Sequence, residues 1–403
     1  MVSIVELPFP VIVLIFGALL LGRYLARENR RAAIGFTVAV VVWAAAVPLF
    51  LDSSGGVIED CIIALAYVVM ALGLNIVVGY AGLLDLGYVA FFALGALVMG
   101  YLGSGFVSSA GGGEGIHIFV SEATQSLPGL HVNFLLVLVV AVVVAAIGGV
   151  LIGLPTLRLR GDYIAIVTLA FGEIIGRLVL NGDELVVGGQ KVTNGRQGIT
   201  PIDRVDLPGL EPFKSLELKP WYWLALALIL LVLFVNSRLR DSRLGRAWIA
   251  IREDEVAAAS MGIPLVRTKL MAYATGAAFG GMSGALLASY YNTVNADQFR
   301  FAFSIFILAM VILGGLGSIW GVVIGAVLLS FINSYFIPDV FNEVPSKIGL
   351  DFDLTQLSFG IFGFLLVIVM VLRPEGLLPE RRRKLELTGS VATADEDIFE
   401  ARA

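Results

Sequence analysis

Charge is scarce in this chain of 403 residues: charged residues make up 15%, against about a quarter in an average soluble domain, so each carboxylate inside an apolar run needs a reason. Glu173 and Arg177 share one such run, four residues apart, and that spacing lets them pair along one face of a helix. An isolated charge at mid-bilayer costs about 2.5–3.5 kcal/mol, so the pair predicts a face turned into a bundle. It reads either as a polar patch on a path through the membrane or as a structural ion pair anchoring one helix to a neighbour. A second carboxylate, Asp85, stands in the glycine-interrupted run Ala71-Leu-Gly-Leu-Asn-Ile-Val-Val-Gly-Tyr-Ala-Gly-Leu-Leu-Asp-Leu-Gly-Tyr88. Gly73, Gly79, Gly82 and Gly87 permit a break between two half-helices, whose freed backbone groups must be buried in protein or line a cavity. The other reading is a tight inner turn between two ordinary spans, with Asp85 capping the helix that follows.

Enzymatic chemistry finds little support. The two histidines, His117 and His131, do not lie in a metal-binding spacing, and no Gly-x4-Gly-Lys-Ser/Thr run is present to hydrolyse ATP. The single cysteine, Cys61, cannot form an internal disulfide. No metal, cofactor or nucleic acid is expected on this chain.

The elements that position these residues are membrane helices. Apolar residues reach 58% and the mean hydropathy is +0.92. Windows of about 20 residues give eleven candidate spans, near 8–22, 33–51, 57–79, 86–103, 133–154, 162–180, 221–236, 270–290, 302–313, 317–336 and 354–372. The first run lacks a basic flank before it and reads as a retained span rather than a signal peptide. With the N-terminus outside, nineteen Lys and Arg fall on inner loops and tail, among them Arg158 and Arg160, and seven on outer segments. This separation is the positive-inside pattern. The fold class is therefore all-α, a polytopic integral membrane protein of about 10–11 transmembrane helices. Residues 1–380 form the membrane domain, with outer loops at 104–132 and 181–220 and an inner basic loop at 237–269. Residues 381–403 form an inner tail ending in an acidic stretch.

The inner loop holds a short, well-bounded helix. Asp254 is placed as its N-cap, Glu255 sits on the positive end of its dipole, and Gly262 and Pro264 stop it. Val256, Ala259 and Ile263 recur at helical spacing and would offer an apolar ridge to a partner protein, although a solvated connector is the plainer alternative. Before it, Leu244, Ala247, Trp248 and Ile251 form a stripe with Arg240, Arg243 and Arg246 outside it, which reads as an interfacial helix. Gly276, Gly280 and Gly284, with Gly281 beside them, form a small-residue ladder that reads as helix packing.

Five blocks of the chain carry a resemblance. Glu255-Val-Ala-Ala-Ala-Ser-Met-Gly262 resembles the EAA loop by which importer permeases of the ATP-binding-cassette (ABC) class engage their ATPase, with one residue separating the Glu from the alanines where that pattern has none. The Ala71–Tyr88 run resembles the signature of the branched-chain amino acid permease family, LivM type. Leu157-Arg-Leu-Arg-Gly-Asp-Tyr-Ile-Ala-Ile-Val-Thr-Leu-Ala-Phe-Gly-Glu173 and Thr193-Asn-Gly-Arg-Gln-Gly-Ile199 are similar to the same family, as is Gly-Gly-Leu-Gly-Ser318. The likeness runs from about residue 57 to 375.

The resemblance implies an ABC-importer permease fold in a bacterial or archaeal inner membrane. It implies two ATPase subunits holding ATP and Mg, a second homologous permease and an external substrate-binding protein. ATPase coupling would fall to Glu255, Val256, Ala257, Ala258, Ala259, Gly262 and Ile263. Asn75, Gly79, Gly82, Asp85, Tyr88, Thr168, Glu173 and Arg177 are the candidate path residues. The urea or amide branch of the same superfamily and a stand-alone, ion-driven transporter are the alternatives.

Overall fold

The computed structural model describes residues 9–25, 29–53, 55–107, 115–120, 127–157, 162–187, 189–207, 212–214, 216–341, 358–373 and 375–378. Arg158, Arg160 and the tail at 381–403 lie outside the described residues, and so does the side chain of Asp162. The helices are α1 Phe9–Leu25, α2 Arg30–Ala46, α3 Gly56–Leu74, α4 Val89–Leu102, α5 Phe134–Thr156 and α6 Asp162–Leu180. There follow α7 Leu218–Asp241, α8 Arg243–Glu253, α9 Glu255–Ser260, α10 Leu265–Tyr291, α11 Phe301–Gly314, α12 Ile319–Phe331 and α13 Ser358–Leu372. Among the described residues seven helices are long and apolar enough to cross a membrane, and three shorter apolar ones accompany them. With α13 they occupy the eleven segments read from the sequence.

Small residues decide how the core closes. At Gly276 of α10 an added Cβ would stand 2.9 Å from the Gly73 carbonyl of α3, and at Gly284 it would stand 2.1 Å from the Phe92 carbonyl of α4. On the other side of α10, Gly281 meets Ala145 of α5 at 2.4 Å by the same measure. The glycine ladder thus lets α10 approach α3, α4 and α5 at backbone distance, which is how helices gain contact where lipid offers no hydrophobic drive. The packing reading of this ladder holds.

The two ends of the bundle differ. At the end that carries the 104–132 and 181–220 segments a three-stranded sheet forms in the order β1 Gly103–Ser104, β3 Leu130–Val132, β2 Ile116–Ile118, with β3 antiparallel to β1 and parallel to β2. A two-stranded hairpin, β4 Val186–Val187 with β5 Gln190–Lys191, lies in the other outer loop. His131 Nδ1 and Asp203 Oδ2, 2.7 Å apart, tie the two loops together, and the His117 ring stacks on that of His131 at 5.3 Å. The histidines therefore serve outer-loop structure. At the opposite end α8 and α9 pack on each other and on α7 and α10, and the candidate site is built there.

Candidate functional site

The inner helix forms as read, and its ends show why. Asp254 Oδ1 accepts from the amides of Val256 and Ala257 at 2.8 and 2.9 Å. At the other end the Gly262 amide bonds the Ala259 carbonyl and the Ile263 amide bonds that of Ala258, the paired closure that a C-terminal glycine allows. Gly262 has φ +84°, a conformation that L side chains resist. Among the predicted contact residues Val256 is 71% exposed, Ala257 and Ala259 are exposed, Ala258 is buried and Ile263 half-buried. The outward ridge is thus Val256 and Ala259, extended by Met261 at 84% exposure, which the sequence reading left out. Glu255 is committed inward: its Oε1 stands 2.7 Å from Nζ of the buried Lys269 on α10.

Helix α8 corrects an expectation. Its apolar stripe turns onto the protein rather than onto the bilayer: Trp248 is fully buried and its indole N–H donates to the Thr268 carbonyl at 2.8 Å. At its end Arg252, not singled out in the sequence, reaches the glycine-rich segment. Its Nη1 donates to the Gly79 carbonyl at 2.5 Å, and its side-chain carbons cover Gly82, where an added Cβ would stand 2.7 Å from Cγ. Gly82 has φ +69°, so both conformation and space exclude a side chain there.

The Ala71–Tyr88 segment is one continuous helix that relaxes into a π-helix over Asn75–Tyr80, followed by a turn over 81–88. The half-helix reading is replaced by a widened last turn, a feature frequent at functional sites. Asp85 does not cap α4 directly; its Oδ1 accepts from the Gly87 amide at 2.8 Å, one residue before the Tyr88 N-cap. Distant helices then converge on this segment. Asn75 Oδ1 accepts from the Gly317 amide at 2.9 Å, Thr168 Oγ1 from the Leu86 amide at 3.0 Å, and Tyr88 O–H donates to the Gly276 carbonyl at 2.8 Å. Asn236 of α7, another residue missed in the sequence, accepts from Tyr80 O–H at 2.9 Å and donates to the Leu72 carbonyl at 3.1 Å.

The segment is sealed yet incompletely satisfied. Asn75 is fully buried and Asp85 is 1% exposed, while Asn75 Nδ2 and Asp85 Oδ2 have no hydrogen-bond partner among the described residues. Burial, opposed by the hydrogen bonds from Gly87 and Thr168, pushes the Asp85 carboxyl up to about 6. Orphaned buried polar atoms cost stability, here in a segment joined to four helices and to the turn between α11 and α12.

Glu173 and Arg177 overturn the inward reading. Both are exposed, on the same side of α6 as Tyr163, Ile166 and Ala170, and Thr168 and Gly172 occupy the buried side. The chain does not enclose its own mid-membrane charges. The opposite side of α6 is taken by the glycine segment: a Cβ on Gly87 would collide with the Thr168 carbonyl at 1.9 Å, which fixes the orientation of the helix and leaves the charges outward. Asn75, Gly79, Asp85, Tyr88 and Thr168 are therefore gathered in one buried hub, with Gly82 exposed at its edge beside Arg252, and Glu173 and Arg177 stand apart from it on an open face.

Arg252, at the end of α8, joins the pair α8 and α9 to the π-turn, and Glu255 of α9 pairs with Lys269 of the central helix α10. The chain is 37% identical over 381 residues to the high-affinity branched-chain amino acid transport system permease protein LivM of Escherichia coli, covering 90% of this chain and 78% of that protein. A branched-chain amino acid transport permease protein LivM of Methanocaldococcus jannaschii is 28% identical over 78% of this chain and 91% of its own. The LivH permease protein of E. coli is 29% identical over 39% of this chain and 46% of its own. No solved structure matches significantly. Residues 60–370 match the sequence profile of the family described as the permease component of the branched-chain amino acid transport system, and the chain belongs to that family.

Proposed function

We propose that this multi-pass membrane protein is one of two permeases in an ATP-driven importer of branched-chain or other apolar amino acids, in a bacterial or archaeal inner membrane. Two ATPases bind ATP and Mg, an external binding protein delivers the substrate, and this chain holds no cofactor of its own. The observation that carries the reading is the exposed ridge of α9, whose two inward connections lead straight to the hub. ATP binding moves the ATPases, α9 moves with them, and Arg252 and Lys269 pass that motion to the π-turn and to α10, so that the bundle alternates its access. The open side of α6 lines a watered path made with the second permease, where Glu173 and Arg177 meet the two charges of a passing zwitterion. That placement accounts for charges that lipid would reject.

Val256→Asp and Met261→Asp put a charge on the ridge without touching any bond that holds α9 in place. Co-purification of each variant with the ATPases tests the reading. Loss of the ATPases at an unchanged level of folded permease is expected, and full retention by both variants would return α9 to a solvated connector.

A further inference from the structure

A cavity of about 490 Å³ lies between the middle of α3, the first turn of α4 and the connection from α10 to α11. Its floor is aromatic: Tyr67 of α3 meets Phe303 of α11 edge-on at 5.6 Å, and Phe92 of α4 stands 5.3 Å from the same Phe303 ring. Its rim is charged. Asp297 and Arg300 lie there beside Gln298, and Asp297 Oδ1 is 2.5 Å from Arg300 Nη2 with both side chains more than half exposed. The Arg300 guanidinium, with Arg196 more distantly, holds the Asp297 carboxyl below the usual carboxylate range, so the rim carries both signs at neutral pH. The 3-10 turn Ala296–Phe299 that bears Asp297 packs on α6, its Phe299 carbonyl 3.1 Å from where a Cβ on Gly176 would be. The turn that bears the rim therefore lies against α6 at Gly176.

We propose that this cavity is an entry site for an apolar α-amino acid. The side chain descends onto Tyr67, Phe92 and Phe303, the ammonium takes Asp297 and the carboxylate takes Arg300. An apolar hollow with a few convergent polar groups is the usual build of a small-molecule site, and aromatic walls suit an aliphatic side chain. An exposed ion pair exchanges partners at little cost, so the zwitterion can replace one internal pair by two bonds of its own. The inference rests on the amino acid importer reading.

The test uses the whole complex of both permeases and ATPases in nanodiscs, without the binding protein. Saturation-transfer NMR is read for L-leucine, for isoamylamine, which lacks the carboxylate, and for 4-methyl-2-oxopentanoate, which lacks the ammonium. ATP-driven leucine uptake is measured in parallel with the binding protein present. A leucine signal is expected in the wild type, falling at least fivefold in Phe303→Trp, which fills the floor. Asp297→Asn, a change on an exposed turn, lowers the leucine signal and leaves that of 4-methyl-2-oxopentanoate unchanged. Normal uptake with no leucine signal, or with a signal that Asp297→Asn does not alter, overturns the entry site and leaves the importer standing. A signal equal for all three compounds makes the cavity a general apolar hollow and overturns the proposal as well. Absence of uptake for every amino acid overturns both readings together.

Discussion

Helices α5 and α6 follow one another in the chain and each leaves one side open, yet the open sides differ in kind. On α5 the open side is Leu135, Val139, Val143, Ile147, Leu151 and Leu154, all apolar. On α6 it is Tyr163, Ile166, Ala170, Glu173 and Arg177. Lipid accepts the first without cost and charges about 2.5–3.5 kcal/mol for a mid-membrane carboxylate such as Glu173, while Arg177 stands in the last turn of α6. On the proposed function, exposure in a single chain therefore means two things: α5 faces the bilayer, and α6 faces water or protein. The largest expected effect comes from exchanging these characters. Val143→Arg should lower the folded fraction in the membrane by about 2–4 kcal/mol, read by denaturant or steric-trapping titration in nanodiscs. Glu173→Leu should leave that stability nearly unchanged and cut uptake tenfold or more. A Glu173→Leu chain that is more stable and transports normally would put α6 in lipid and erase the contrast.

Asp85 and Glu173 sharpen the same contrast, since one carboxylate is sealed and the other open. Because burial raises the Asp85 carboxyl from its ordinary value of 3.8 to about 6, folding favours its protonated form. Below pH 3.8 it is protonated folded and unfolded, and this contribution to stability is complete. Between 3.8 and 6 it ionises in the unfolded chain alone, so the contribution is lost as pH rises through that window and is absent above it. Asp85→Asn keeps an acceptor for the Gly87 amide and cannot ionise. Relative to it, the wild type should lose about 2–3 kcal/mol between pH 4 and pH 7.5 in paired unfolding titrations. A difference that stays flat across this range would mean that Asp85 reaches water.

How much of this was legible in the sequence depends on distance along the chain. The α9 caps were readable because Asp254, Gly262 and Ile263 act within one short helix, and the spans were readable because hydropathy and charge are local. Arg252 was hidden among the basic residues of its loop, and nothing nearby marks its partner Gly79, 173 residues earlier. Asn236 was hidden in the same way within an apolar helix. The glycines of 71–88 mark an irregular stretch, and they do not show that the helix widens over Asn75–Tyr80 rather than breaks. The spacing of Glu173 and Arg177 puts them on one helix face, and it carries no signal for whether that face meets the same chain or lies open. A chain that shares its path with a partner need not enclose its own charges.

Arg252 and α6 meet the same glycine segment from opposite sides, so a change at Arg252 separates transmission from path. Arg252→Met retains most of the stem over Gly82 and removes the donor to the Gly79 carbonyl, at about 1–2 kcal/mol of stability. On the proposed coupling, ATP hydrolysis by the assembled complex should continue while amino acid uptake falls about tenfold, because α9 keeps the ATPases and α8 no longer holds the π-turn. Equal losses of hydrolysis and uptake would make Arg252 a packing residue only.

The smallest effect is expected at the second connection. Lys269 is 5% exposed at its side chain and Glu255 is 43% exposed, so water reaches one partner and hardly the other. Removing the carboxylate with Glu255→Gln leaves the Lys269 ammonium with an amide oxygen in reach, and the cost should be about 1 kcal/mol rather than the 3–5 kcal/mol of a fully buried pair. Lys269→Met takes away the buried charge and should cost no more, since Glu255 turns to solvent and the methionine fills the space. The double variant should then equal Lys269→Met alone, a coupling close to the single cost of Glu255→Gln. If instead both single variants abolish ATPase association while the double variant restores it, the pair sets the angle of α9 rather than its stability, and the inner end of the molecule is tuned by charge as its α6 face is.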